Sequence, residues 1–67
     1  MIGDNDMNTT ETAKITVEEF GRLQAYMELV DEDTPVYKLM LIRYFELKAI
    51  LIACNIPMTN IDRINKW

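Results

Sequence analysis

Histidine is missing from this chain, and cysteine occurs once, at Cys54. A lone thiol excludes an intrachain disulfide, and a zinc site built from His and Cys has almost no ligands to draw on. General acid–base catalysis loses its commonest residue as well. The two glycines make no glycine-rich phosphate loop. No nucleophile stands beside a base, and the carboxylates fall mostly on helix starts and loops, where nothing perturbs them. The expectation is a protein that is not an enzyme and carries no cofactor and no metal. Cations are scarce too: seven Lys and Arg face eleven Asp and Glu, giving a formal net charge of -4 and a pI near 4.5. That balance argues against a nucleic-acid partner, whose affinity comes largely from clustered cations.

What the chain does have is apolar content, 49% of its 67 residues, in a length at which a single core seldom supplies more than roughly 3–5 kcal/mol. Small domains need a staple, and with disulfide and metal removed the remaining one is association with another chain. The opening stretch, MIGDNDMNTTETAK, has neither an early cationic run nor an apolar core, so it reads as no secretory signal and the expected location is cytoplasmic. Residues 1–13 carry Asp4, Asp6 and Glu11 and little to bury, and read as a disordered tail before a single helical domain over 14–67. The sequon Asn8-Thr9-Thr10 means nothing without a signal.

Local signals predict an all-α fold. Thr16 with Glu19 three residues on forms a capping-box pattern, and Ile15 and Phe20 stand at the spacing of a hydrophobic staple. From there Val17, Phe20, Leu23, Met27 and Val30 recur every three or four positions, with Tyr26 at the edge, as on one buried stripe. This predicts a first helix over about 16–30. The link DEDTP supplies a cap at Asp33 or Thr34 and a first-turn proline, Pro35. A second helix over about 35–55 then ends where Asn55 tolerates a left-handed cap and Pro57 prevents continuation. Thr59 with Asp62, followed by Ile61, Ile64 and Trp67 on roughly one face, reads as a short third helix over about 60–66. The result is a helical hairpin with a short C-terminal helix, self-associating into a helical bundle.

The second helix carries that last step. Val36, Met40, Leu47, Leu51 and Cys54, flanked by Tyr44 and Ile50, form one broad apolar face; Leu41, Phe45 and Ile52 form another, and Ile42, Ala49 and Ala53 a third. Lys38, Arg43, Glu46 and Lys48 are scattered around the circumference. Four charges are too many for a membrane span, at roughly 2.5–3.5 kcal/mol for a charge at the bilayer centre, so no membrane association is expected. Leaving Leu41, Phe45 and Ile52 in water forfeits roughly 1.5–3 kcal/mol each. A second chain is therefore expected on Leu41, Phe45 and Ile52 and on the small-residue ridge of Ile42, Ala49 and Ala53, although that ridge equally suits a crossing with the first helix.

Other residues have two readings each. Cys54 amid ILIAC suits a small buried hydrophobe better than a redox thiol. Tyr37 and Tyr44 are a recognition strip or the border of a core, and Trp67 anchors a partner or folds back on the hairpin. DEDTPV and DNDMNT open like calcium loops, but lack the required glycine and closing glutamate. Glu28, Asp31, Glu32 and Asp33 form the densest charge cluster, either a solvated helix cap or a docking patch for a basic surface. These residues imply a small acidic, non-enzymatic, protein-binding regulator or inhibitor. It would act as a homo-oligomer toward itself and an unidentified protein, with Glu28, Asp31, Glu32, Asp33, Tyr37, Tyr44 and Trp67 as the candidate contacts. The alternatives are a structural subunit of a larger helical assembly and a nucleic-acid mimic, the latter weakened by cations interspersed among the acids.

Overall fold

Two helices packed against each other, α1 (Ile2–Met27) and α2 (Pro35–Ala53), carry the core of the protein. The computed structural model describes the backbone of residues 2–66 and the side chains of residues 10–66, and among them there is no strand. Of the apolar stripe expected on the first helix, Phe20 and Met27 are buried and Val17 and Leu23 pack half-buried beside them; α1 ends at Met27 and not near residue 30, so Val30 packs half-buried from the turn that follows. Tyr37, Tyr44, Leu47 and Leu51 of α2 complete the buried cluster. Phe20 and Tyr44 stack with ring centroids 5.3 Å apart.

The start of α1 differs from the expectation. The helix begins at Ile2, so Thr16 lies in its middle and residues 2–13 continue its backbone. Thr16 is buried, and its hydroxyl donates to the Thr12 carbonyl one turn back at 2.6 Å, the mid-helix alternative for a threonine. It therefore does not cap Glu19, whose carboxylate instead meets Arg43 of α2. Ile15, the expected staple, is 62% exposed while Phe20 is fully buried.

Both ends of α2 follow from local chemistry. Thr34 is extended, its hydroxyl accepts from the Tyr37 N–H, and Pro35 opens the first turn, as a helix start favours. Asn55 adopts φ 62°. The Asn55 N–H bonds the Ile52 carbonyl at 3.0 Å and the Ile56 N–H bonds the Leu51 carbonyl at 3.0 Å. That bond pair is a Schellman closure, and Ile56 packs on the core that contains Leu51.

The expected third helix over about 60–66 does not form; after α2 the described chain has only turns and bends. One turn closes at Met58–Asp62, where the Ile61 and Asp62 N–H groups bond the Met58 carbonyl. Beyond it the backbone donors of Arg63, Ile64 and Lys66 go to side chains of the two helices, so a helical ladder has no donors left there. Ile56, Met58, Ile61 and Ile64 lay this segment over the hairpin as an irregular third layer.

Gly21 sits inside α1, and apart from its chain neighbours and the helix's own nearby backbone no atom comes within 4 Å of where a Cβ would stand. Alanine there restricts the unfolded chain and suits the helix, so Gly21→Ala should stabilise the fold by about 0.5–1 kcal/mol, read as an increased urea midpoint at unchanged m-value.

Candidate binding surface

Three polar side chains of the helices hold the C-terminal segment in place. Gln24 of α1 is fully buried; its amide nitrogen donates to the Ile61 carbonyl at 2.7 Å and the Phe20 carbonyl at 3.3 Å. Its oxygen accepts from the Arg63 N–H at 2.6 Å and the Ile64 N–H at 2.9 Å. On α2, the Lys48 ammonium and the Asp62 carboxylate form an ion pair at 2.7 Å with each side chain 5% exposed. Lys48 also donates to the Lys66 carbonyl at 2.7 Å. The Tyr44 hydroxyl donates to Asp62 Oδ1 at 2.7 Å and accepts from the Lys66 N–H at 2.9 Å.

The electrostatics of this clasp suit structure. Burial works against both ions of the pair. The bonds to Lys48, Tyr44 and the Asn65 N–H outweigh it at Asp62 and hold that carboxyl below its usual value. At Lys48 the bonds to Asp62 and Tyr44 outweigh burial and hold the ammonium above its usual value. Burial, reinforced by Asp62, pushes the Tyr44 phenol up. Near neutral pH all three groups are thus fixed in their ordinary protonation states, which is the reverse of what proton transfer needs. An open cleft of about 460 Å³ beside the clasp is lined by Lys48, Ile52, Met58, Thr59, Asp62 and Asn65, and its two charges are those of the ion pair. Among the described residues no three His, Cys, Asp or Glu side chains gather as a metal site would require, and no helix is long and apolar enough to cross a membrane.

The surface that stands out lies on the opposite side of α2. Leu39 is 67% exposed and Ile42 58%, and Val36, Ile50, Ala49 and Ala53 are exposed beside them. Glu11, Lys14, Glu18 and Arg22 occupy the equivalent outer positions of α1; Ile15 and Tyr26 are the exposed large apolar side chains of α1, and α2 carries more of them. Arg43 and Glu46 interrupt the face on α2. The Arg43 guanidinium bonds both oxygens of Glu19 at 2.9 and 3.1 Å and Glu46 at 3.0 Å. These bonds, that to Glu19 first, raise Arg43 above its usual range, and the Arg43 bond is the chief cause that lowers Glu19.

Of the residues read as an oligomer contact, Ile42, Ala49, Ile52 and Ala53 are exposed. Leu41 and Phe45 are half-buried and pack on this chain's own core, where Phe45 meets Tyr44 edge-on at 5.2 Å. Tyr37 and Tyr44, read as partner contacts, are 4% and 0% exposed. Their burial in the hairpin leaves neither on a surface, and core formation accounts for both. Val36, read on one face with Met40, Leu47 and Leu51, and Ile50, read as flanking that face, are exposed while Leu47 and Leu51 are buried. Leu39 was missed; its spacing from Val36 and Ile50 is the signal that identifies it.

Glu28, Asp31, Glu32 and Asp33 are all exposed at the corner between the helices. Two of them meet cations of the C-terminal segment, Glu28 with Arg63 at 3.6 Å and Glu32 with Lys66 at 3.7 Å, so the acidic field there is partly neutralised from within. Cys54 is half-buried at the end of α2. Trp67 lies outside the described residues. Comparison with family models, with curated proteins and with solved structures finds no match.

Proposed function

We propose that this protein is a small non-enzymatic protein-binding module, a regulator or inhibitor that acts as a homo-oligomer through the outer face of α2. The observation that supports this reading is the exposure of Val36, Leu39, Ile42 and Ile50 on one side of a single helix. Side chains of that size stabilise an interface by roughly 1.5–3 kcal/mol each when fully covered, and apolar side chains exposed together on one face, here with Arg43 and Glu46 between them, mark an interaction surface. The acidic corner has a secondary role in encounter, because charge at a rim sets association rate more than affinity.

Thermal melts across protein concentration test the reading. Binding only to the folded state makes the melting temperature rise with concentration. The unmodified chain should show that rise, and Leu39→Glu should abolish it while keeping the melting temperature of the dilute protein, since Leu39 makes no part of the core. A melting temperature that ignores concentration in the unmodified chain contradicts the self-association on which the reading stands.

A further inference from the structure

Reading the outer face of α2 residue by residue gives Val36, Leu39, Arg43, Glu46, Ile50 and Ala53, in alternating steps of three and four. That is the a/d spacing of a coiled-coil seam. All six are exposed, with Arg43 and Glu46 side chains at 46% and 56%. The seam is also self-complementary when reversed. Laid antiparallel on a second copy about a two-fold axis between Tyr44 and Phe45, it places Val36 opposite Ala53, Leu39 opposite Ile50, and Arg43 opposite Glu46, each contact occurring twice as a two-fold interface demands. A large side chain faces a small one at the ends, two large apolar side chains meet in the next layers, and opposite charges meet in the centre.

We propose that a second copy of this chain occupies the face, with α2 packed antiparallel on α2 in this register. The proposal rests on the reading of that face as the binding element and supplies its occupant. Charge selects the orientation. A parallel pair sets Arg43 against Arg43 and Glu46 against Glu46 at the middle of the seam, and like charges facing each other are unfavourable; the antiparallel pair turns both contacts into attractions. Arg43 spends one hydrogen of each terminal nitrogen and its Nε–H within its own chain, which leaves one hydrogen on each terminal nitrogen for the partner's carboxylate. Ile42 and Ala49, both exposed, flank the seam and widen the apolar contact. The seam geometry calls for helices crossing near 20°.

Cysteine cross-linking of the full chain, in a Cys54→Ser background so that no other thiol competes, tests orientation and register together. Leu39 and Ile50 face each other across the two-fold, whereas Leu39 and its own symmetry mate stand about 16 Å apart along the helix, beyond the roughly 4.4–6.8 Å between Cα atoms that a disulfide spans. The double variant Leu39→Cys/Ile50→Cys should oxidise to a covalent dimer, and Leu39→Cys and Ile50→Cys alone should stay uncross-linked, with helicity of all three retained. Cross-linking of Leu39→Cys alone shows a parallel pair and overturns the proposal. If the background protein associates by sedimentation but no variant cross-links, the register or the face is wrong, and the proposal fails while the self-association reading stands. A background protein that stays monomeric at all concentrations overturns both. As a second arm, Arg43→Glu and Glu46→Arg, each self-repelling at the centre of the seam, should associate at least tenfold more weakly than the unmodified chain when alone and recover when mixed. Failure of the mixture to recover contradicts the central charge contact.

Discussion

Lys48→Met should destabilise the fold by about 3–5 kcal/mol, enough to unfold most of so small a domain at ambient temperature. The substitution keeps much of the lysine's apolar stem but leaves the Asp62 carboxylate, 5% exposed, without the ammonium 2.7 Å away. Asp62→Asn alone should be costly for the converse reason, a buried cation without its anion. The double variant Lys48→Met/Asp62→Asn should recover much of the loss, since the amide still accepts from Tyr44 and the Asn65 N–H and no buried charge remains. Chemical denaturation of the four proteins closes the cycle; additive losses would show that the pair is not coupled.

The same pair fixes a pH signature. Asp62 is held below its ordinary value of 3.8, so its contribution is present above that pH and lost as acid carries the solution through the lower folded value. Lys48 is held above its ordinary 10.5 and Tyr44 above 10.0, so their contributions are present below those values and lost as base carries the solution past the raised ones. The clasp therefore supports a plateau from about pH 4 to about pH 10 with losses at both ends. In Lys48→Met burial becomes the main influence on Asp62 and raises it, so that variant should regain stability on acidification toward pH 4, where the intact protein gains nothing.

Gln24→Leu should cost about 2–4 kcal/mol. One amide group serves the Ile61 carbonyl and the Arg63 and Ile64 N–H groups, and each buried group left unpartnered costs roughly 1–3 kcal/mol. The segment can limit the loss by lifting off into water, which exposes Ile61 and Ile64 instead. Hydrogen exchange at the Arg63 and Ile64 amides should then rise to rates close to those of an unstructured chain while amides in the middle of α2 stay protected. Protected amides at both positions would mean that something other than Gln24 holds the segment.

The parts of this fold that were legible in the sequence are those decided within a few residues. Thr34 and Pro35 start α2, and Asn55 closes it with a left-handed residue, each by bonds to neighbours in the chain. Thr16 misled because a threonine three residues before a glutamate serves a helix start and a helix interior equally well, and which applies depends on whether the preceding turn is helical. The third helix failed for a longer-range reason. Gln24 lies about forty residues from the amides it binds, and nothing near Thr59 or Asp62 signals that an α1 side chain will take their neighbours' hydrogen bonds. Lys48 read as one more scattered surface charge because its partner Asp62 comes from that same unforeseen layer. The seam on α2 was present as a spacing, but with charges at two of its six positions it does not read as an apolar stripe until the inner face has been assigned to Tyr37, Tyr44, Leu47 and Leu51.

Sedimentation equilibrium of the unmodified chain at micromolar concentrations bears most directly on the claim that α2 is a binding face for a second copy. The account predicts a weight-average mass that climbs with concentration from the 7.9 kDa of one chain toward twice that value and levels there, as a closed two-fold pair must. A mass of 7.9 kDa at every concentration, or one that keeps climbing past the dimer, would contradict it.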